Sequence, residues 1–216
     1  MKQIELSKSQ FVNMVAHELK SPLAAISGYL DMVVNKSLGD EPDMYDIYLN
    51  RSLDRCKALQ DLIGDLMNIF RLDSRAIRRD IQPTDVSLII EKTAEFYQNE
   101  INKRDLSLTL TLEKEMIVDI DRDEFQRVIN NLLSNAIKYN QPDGRIFIRT
   151  DRRGNDVRLR IQDTGIGMTD SEKKHLFEEF FRAKNAHTRN ITGTGLGLSI
   201  VKKIINDYAG KISVRS

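Results

Sequence analysis

The sequence predicts a multidomain chain: an all-α helical hairpin followed by an α+β sandwich. Three observations carry that expectation. Apolar residues recur every three and four positions through two long stretches of the first third; helical and strand-like segments alternate afterwards; and a polar, aperiodic run, RLDSRAIRRDIQPTD, separates the two regimes. A chain of 216 residues has room for two small domains, and its 4 prolines and 40% hydrophobic content are those of a globular protein.

In the first helix Val12, Val15, Leu19, Pro22, Ile26, Tyr29 and Val33 form a heptad seam. Pro22 lies within that seam and should kink the helix; a helix starting at Ser21-Pro22 is the alternative. NKSLGDEPD holds Gly39 and Pro42 and reads as a turn. Tyr45, Leu49, Ser52, Cys56, Leu59, Ile63, Leu66 and Phe70 then repeat the seam, with Cys56 expected to be packed. Phe11, Leu23, Leu30, Leu53, Leu62 and Ile69 flank both seams, so each stripe is wider than one partner helix covers. Pairing of two hairpins into a dimeric four-helix bundle is the economical solution. The hairpin is assigned to residues 1–72, the linker to 73–85 and the second domain to 86–216.

The second domain reads as a helix from Val86 to Asn102, strands at 106–112 and 116–120, and a helix from Asp121 to Tyr139. Asp121 and Glu124 stand in a capping-box arrangement at its start. Strands 145–151 and 156–163 form a hairpin through Arg152–Asn155. Helices at 171–181 and 196–209 and a strand at 211–215 complete one mixed sheet with helices on one face.

Composition excludes several classes. A net charge of +1 lacks the basic footprint of a nucleic-acid binder, and the single cysteine rules out an internal disulfide and a cysteine-based zinc cluster. No run of about 18 apolar residues is present, so no membrane contact by these residues is expected. The polar start, MKQIELSKSQ, is no signal peptide. Any sensor or membrane anchor would lie outside the sequence, and a cytoplasmic setting is expected.

His17 takes an outward heptad position, where an imidazole is open to chemistry; on position alone an ordinary surface histidine explains it better. The second domain changes that balance. Asn131, Asn135 and Lys138 share one stripe of the helix that starts at Asp121. An amide oxygen suits Mg²⁺ and a lysine suits phosphate, whereas Asn is a poor mid-helix residue without a reason. Asp163-Thr-Gly-Ile-Gly-Met168 ends a strand; its carboxylate can accept a hydrogen bond from an adenine amine, and Gly165 and Gly167 let the backbone approach a ligand closely or take φ > 0. Gly193-Thr-Gly-Leu-Gly197 opens a helix, a setting suited to phosphate. It is not a P-loop, and the eukaryotic-type kinase elements are missing.

Taken together, these segments resemble the sensor histidine kinases. FVNMVAHELKSPL (11–23) is similar to their H box, NLLSNAIKYN (131–140) to the N box, DTGIGM (163–168) and GTGLGLSIVK (193–202) to the two glycine boxes, and LFEEFFR (176–182) to the F box. The resemblance implies a homodimer and an ATP-binding domain of the gyrase, Hsp90 and MutL type. It implies His17 as phospho-acceptor and Glu18 as general base, although neighbouring helical side chains diverge by about 100° and Glu18 must bend back. It implies Asn135 as Mg²⁺ ligand, Asn131 and Lys138 near phosphate, Tyr139 near the nucleotide, and Asp163 on the adenine. Gly165, Gly167, Gly193, Thr194, Gly195, Leu196 and Gly197 would line ATP, and Arg182 would approach the γ-phosphate. Residues 183–192 correspond to a mobile lid.

The cofactors implied are ATP and Mg²⁺, and the partner is the receiver domain of a response regulator, phosphorylated on aspartate. Ser21 stands where relatives carry Thr or Asn, so phosphatase activity toward the regulator rests on its hydroxyl. Relatives continue past KISVRS into another strand, which predicts an exposed sheet edge. A degenerate, non-catalytic scaffold is disfavoured by the intact motifs. Other ATPases of this superfamily and anti-sigma serine kinases lack the upstream hairpin.

Overall fold

A computed structural model describes residues 2–39, 41–73, 79–154, 156–183, 188, 191 and 193–216. The chain divides into two compact units: residues 1–67 with 192–194, and residues 68–191 with 195–216.

The first unit is the hairpin. Helix α1 spans Lys2–Val34 and runs through Pro22, so a helix starting at Ser21-Pro22 is excluded; α2 spans Pro42–Asp73. Along α1 the expected seam is the sheltered stripe from Val15 onward, with Ile26 buried, whereas Val12 is exposed. The rings of Tyr29 and Tyr48 meet edge to face at 5.5 Å, and Ser52 is buried with its hydroxyl donating to the Tyr48 carbonyl. Along α2 the sheltered stripe departs from the expected one. Tyr48 replaces Leu49, Leu62 replaces Ile63, and Cys56 is exposed rather than packed. A straight helix of 3.6 residues per turn drifts by about 20° per heptad against a 3.5-residue pattern. Over several heptads the flanking apolar positions therefore rotate inward.

The first strand of the second unit is β1, Ile81–Asp85, inside the stretch read as linker. Pro83 conceals this strand in the sequence, but a two-stranded ladder has only edges, where proline is tolerated. Helix α3 (Val86–Lys103), strands β2 (Ser107–Thr111) and β3 (Ile117–Asp121), helix α4 (Arg122–Lys138), and strands β4 (Arg145–Arg153) and β5 (Asp156–Asp163) follow. Helices α5 (Asp170–His175) and α6 (Gly197–Asp207) close the sequence of elements.

The strands form two sheets rather than the single mixed sheet expected. β1 pairs antiparallel with β3, while β4 pairs parallel with β2 and antiparallel with β5. Alternate residues Ile146, Ile148 and Thr150 of β4 are buried, as a half-covered strand requires. The predicted strand at 211–215 does not form; these residues pair with no strand among the described residues. The segment is held instead at Ser216, whose hydroxyl accepts from the Met168 amide at 2.6 Å. The helix predicted at 171–181 stops at His175, and Phe180 takes a left-handed φ of 60° that no α-helix accommodates.

Helix α4 packs between α3 and α6. Phe125, Val128, Ile129, Leu133, Ala136 and Ile137 form its buried face, while Leu132 is only half-buried. Asp121 caps α4 by accepting from the amides of Asp123 and Glu124. The reciprocal half of the capping box is not direct. The Asp121 amide donates to the Tyr208 hydroxyl at 3.0 Å, and that hydroxyl donates to Glu124 at 2.7 Å. A tyrosine from the end of α6 therefore relays the bond, because Arg79 already holds the other Glu124 oxygen.

Burial, and after it the Glu124 carboxylate that accepts its proton, push the Tyr208 phenol up to about 12. The folded value lies above that of a free tyrosine, about 10, so the stabilisation is fully present below about pH 10. It is lost as pH rises through about 12. Urea denaturation at about pH 9 and about pH 11 should show a steeper loss for the parent than for Tyr208→Phe; equal losses would contradict the relay.

Candidate functional site

In the first unit His17 projects from α1 with its side chain 81% exposed. Glu18 does bend back: its Oε1 lies 3.5 Å from His17 Nδ1. Ser21, one turn on, is also exposed. His17 and Ser21 lie one above the other on α1, as residues at i and i+4 do.

The second unit gathers its candidates around the C-terminal half of α4. The DTGIG turn leaves β5 and folds against the end of that helix. The Ile166 amide donates to the Tyr139 carbonyl at 3.1 Å, and the Gly165 amide donates to Asp163 Oδ1 at 2.8 Å. A side chain at Gly165 would place its Cβ 2.3 Å from the Tyr139 carbonyl oxygen, so only glycine fits. Tyr139, Asp163 and Gly165 are thereby brought together. Thr164 and Asn140, which the motif reading passed over, lock the junction. Thr164 Oγ1 accepts from the Arg145 amide at 2.8 Å and donates to Asn140 Oδ1 at 3.3 Å. Their position immediately after the helix and after Asp163 is the signal that could have found them.

The second glycine box reaches α4 from the other side. A Cβ on Gly197 would lie 2.2 Å from Asn131 Oδ1, which sets the start of α6 directly on the N-box stripe. Asn131 is braced by donating from Nδ2 to the Arg127 carbonyl at 3.0 Å. Gly195, at φ 72°, packs against the backbone of Phe180, where a Cβ would stand 2.7 Å from the carbonyl carbon. The F-box segment and the glycine box are thus in contact. Leu196 is fully buried and gives α6 no side-chain cap. Gly193 is exposed and Thr194 half-buried; both group with the first unit.

Arg182 donates to the Ile191 carbonyl at 2.5 Å, and Thr188, which is buried, donates to the Ala183 carbonyl at 2.5 Å. Of the expected lid at 183–192, residues 184–187, 189, 190 and 192 lie outside the described residues, and His187 with them. His175 is exposed and pairs with Glu178 at 2.9 Å. Gly167 takes a left-handed φ of 67° beside Ser216. Asn135 and Lys138 are half-buried, one helical turn apart. Among the described residues no group of three or more His, Cys, Asp or Glu side chains is placed to hold a metal ion. The donors on offer to a cation are amide oxygens, which suit a hard ion such as Mg²⁺ that keeps most of its own waters.

Residues 7–75 match the His Kinase A (phospho-acceptor) domain family, and residues 120–216 match the family of histidine kinase-, DNA gyrase B-, and HSP90-like ATPases. A phospho-acceptor hairpin joined to an ATP-binding unit is the make-up of the sensor histidine kinases, and the chain belongs to that family. More particularly, it spans the catalytic core of such a kinase and is 31% identical over 215 residues to sensor protein SrrB of Staphylococcus aureus. That match covers 99% of this chain and 36% of the relative's length.

Two solved structures share the fold. Histidine kinase ThkA, in complex with response regulator protein TrrA, superposes with a TM-score of 0.77 at 23% identity, covering 97% of this chain and 58% of that one. Histidine kinase AdeS of Acinetobacter baumannii superposes with a TM-score of 0.70 at 24% identity, covering 88% and 86%. No helix among the described residues is long and apolar enough to cross a membrane.

Gly165→Ala should weaken the DTGIG turn by about 1–3 kcal/mol, because a backbone carbonyl rather than a movable side chain blocks the new methyl. Thermal unfolding and titration with a non-hydrolysable ATP analogue should both show the loss. A variant that melts and binds like the parent would contradict the close approach at Tyr139.

Proposed function

We propose that the chain phosphorylates its own His17 from ATP and passes the phosphoryl group to an aspartate of a response-regulator receiver domain. The observation that carries the reading is the exposed imidazole with the Glu18 carboxylate 3.5 Å from Nδ1. A carboxylate there favours the tautomer with its proton on Nδ1 and leaves the Nε2 lone pair as nucleophile. Nε2 attacks the γ-phosphorus in line, the bond from phosphorus to the bridging oxygen breaks, and ADP leaves. The Nδ1 proton passes to Glu18, and the product is a phosphoramidate.

Nucleotide binding falls to the N-box helix, the DTGIG turn and the second glycine box. The Asp163 carboxylate accepts from the adenine amine, with Gly165 and Gly167 bringing backbone close. Tyr139 lies along the base. Asn131 and the glycines and first amides at Gly193, Thr194, Gly195, Leu196 and Gly197 take the phosphates. Asn135 would hold Mg²⁺, which supplies charge for the transferring group when bound. Lys138 and Arg182 add positive charge near the γ-phosphate.

Dimerisation of the hairpin is supported by the apolar side chains of Val12, Leu23, Leu30, Leu53 and Ile63, all more than 40% exposed in a single chain. A second copy is the partner that covers them as a four-helix bundle. The named complex of ThkA with a response regulator supports the choice of acceptor. A cytoplasmic setting accords with ATP as the donor.

His17→Gln should abolish incorporation of labelled γ-phosphate while nucleotide-analogue affinity stays within about twofold of the parent. Label incorporated into that variant would overturn the assignment. For the reverse activity, the Ser21 hydroxyl is suited to orient a water on the regulator's acyl phosphate. Ser21→Ala should therefore slow regulator dephosphorylation by about tenfold with autophosphorylation retained. Equal dephosphorylation rates would remove the phosphatase role.

A further inference from the structure

Asn140 follows the last turn of α4, half-buried, and makes four hydrogen bonds through its side chain. Its Nδ2 donates to the Ala136 carbonyl at 3.1 Å and to the Arg145 carbonyl at 3.3 Å. Its Oδ1 accepts from the Gln141 amide at 3.1 Å and from the Thr164 hydroxyl at 3.3 Å. Both donor hydrogens and both acceptor sites of the amide are thereby used. Gly144 is buried against it: a Cβ there would stand 2.1 Å from Asn140 Oδ1. One side chain thus ties together the end of α4, the start of β4 and the DTGIG turn.

Thr164 supplies the other half of the junction. Its amide donates to the Arg145 carbonyl at 3.0 Å, as one more rung of the β4–β5 ladder would. The return bond is different. The Arg145 amide donates at 2.8 Å to the Thr164 hydroxyl, which takes the place of a backbone carbonyl. The main chain is therefore free to leave the sheet directly after Asp163.

Asp163, the first residue of that turn, is exposed. Its Oδ1 accepts from the Gly165 amide at 2.8 Å, while Oδ2 accepts no hydrogen bond among the described residues. The turn holds one oxygen and presents the other. Asn131, which meets Gly197, lies eight residues before Tyr139, roughly 12 Å along α4 at 1.5 Å per residue. A nucleotide laid along the helix has a fixed reach from its phosphates to its base, so the free oxygen must stand at a set place beyond the helix end. The bond from the Ile166 amide to the Tyr139 carbonyl is one tie and acts as a pivot. The Asn140–Thr164 bond is a second tie, and two ties define an orientation.

We propose that Asn140 and Thr164 are positioning residues for base recognition, holding the free oxygen of Asp163 where the adenine amine can donate to it. The proposal rests on Asp163 as the group that reads adenine. Guanine carries a carbonyl oxygen where adenine carries the amine. A displaced Asp163 therefore loses its attraction for the one base and its repulsion for the other, while the phosphate contacts persist. A role confined to stabilising the fold would lower affinity for both nucleotides together and leave their ratio unchanged.

The test measures, on the full chain, the dissociation constants of non-hydrolysable ATP and GTP analogues and the melting temperature. Thr164→Val removes the hydroxyl at nearly constant shape, and Asn140→Ala removes the bridging amide. Each should reduce the preference for the ATP analogue by about tenfold, the contribution of one hydrogen bond, chiefly through weaker ATP binding. Thr164→Ser should restore the preference to within about twofold of the parent. The double variant should lose no more than the stronger single one, because both remove the same tie. If Asn140→Ala fails to fold, Thr164→Val and Thr164→Ser decide between them. A parental preference in either folded variant, equal losses toward both nucleotides, or a double variant that sums the two losses overturns the proposal. Asp163→Asn, run alongside, tests the underlying reading separately. With its Oδ1 held by the Gly165 amide, its NH₂ group faces the base, and the preference should collapse. A parental preference there sinks the adenine reading itself; collapse there beside parental preference in Thr164→Val and Asn140→Ala sinks the positioning role alone.

Discussion

Burial of one face of α4 is the constraint on which the second unit depends. Val128, Ile129, Leu133 and Ile137 are almost wholly removed from water, and each fully buried aliphatic side chain contributes on the order of 2 kcal/mol. That seating leaves the helix no freedom to rotate. Asn131, Asn135 and Lys138 therefore occupy the rim, where the DTGIG turn arrives at Tyr139 and the second glycine box arrives at Asn131. Three segments far apart in sequence meet because a single helix is fixed in rotation, and two glycines let backbone lie against it.

Much of this was legible in the sequence because it follows from local periodicity. The stripe of Asn131, Asn135 and Lys138 follows from helical spacing alone, and the glycines of the two boxes stand where backbone lies against Tyr139 and Asn131. Two of the misreadings turned on a partner distant along the chain. IQPTD has no strand-like alternation and becomes β1 through its ladder with β3. Glu124 promised a local cap, but Arg79 and Tyr208, 45 and 84 residues away, claimed its carboxylate. On α2 the seven-residue pattern was real, yet the mismatch with 3.6 residues per turn moved Cys56 out and Leu62 in.

The two units rely on different physics. The second encloses a core in which Ile90, Ile129, Leu133, Ile146 and Ile204 are essentially inaccessible, and no buried side-chain nitrogen or oxygen among the described residues lacks a hydrogen-bond partner. The hairpin, taken as a single chain, leaves large apolar side chains in water along both helices. One unit encloses its own apolar core, while the other has a surface whose free energy falls on association.

Pro22 has a consequence for the helix that carries His17. Proline has no amide hydrogen, so the carbonyl four residues earlier, that of Glu18, loses the bond it would otherwise accept within α1. That carbonyl belongs to the residue adjoining the imidazole. The backbone ladder is therefore one rung short beside the imidazole of His17, while the turns beyond it remain intact. A bend in α1 at this point breaks no further hydrogen bond, so this turn yields more readily than its neighbours.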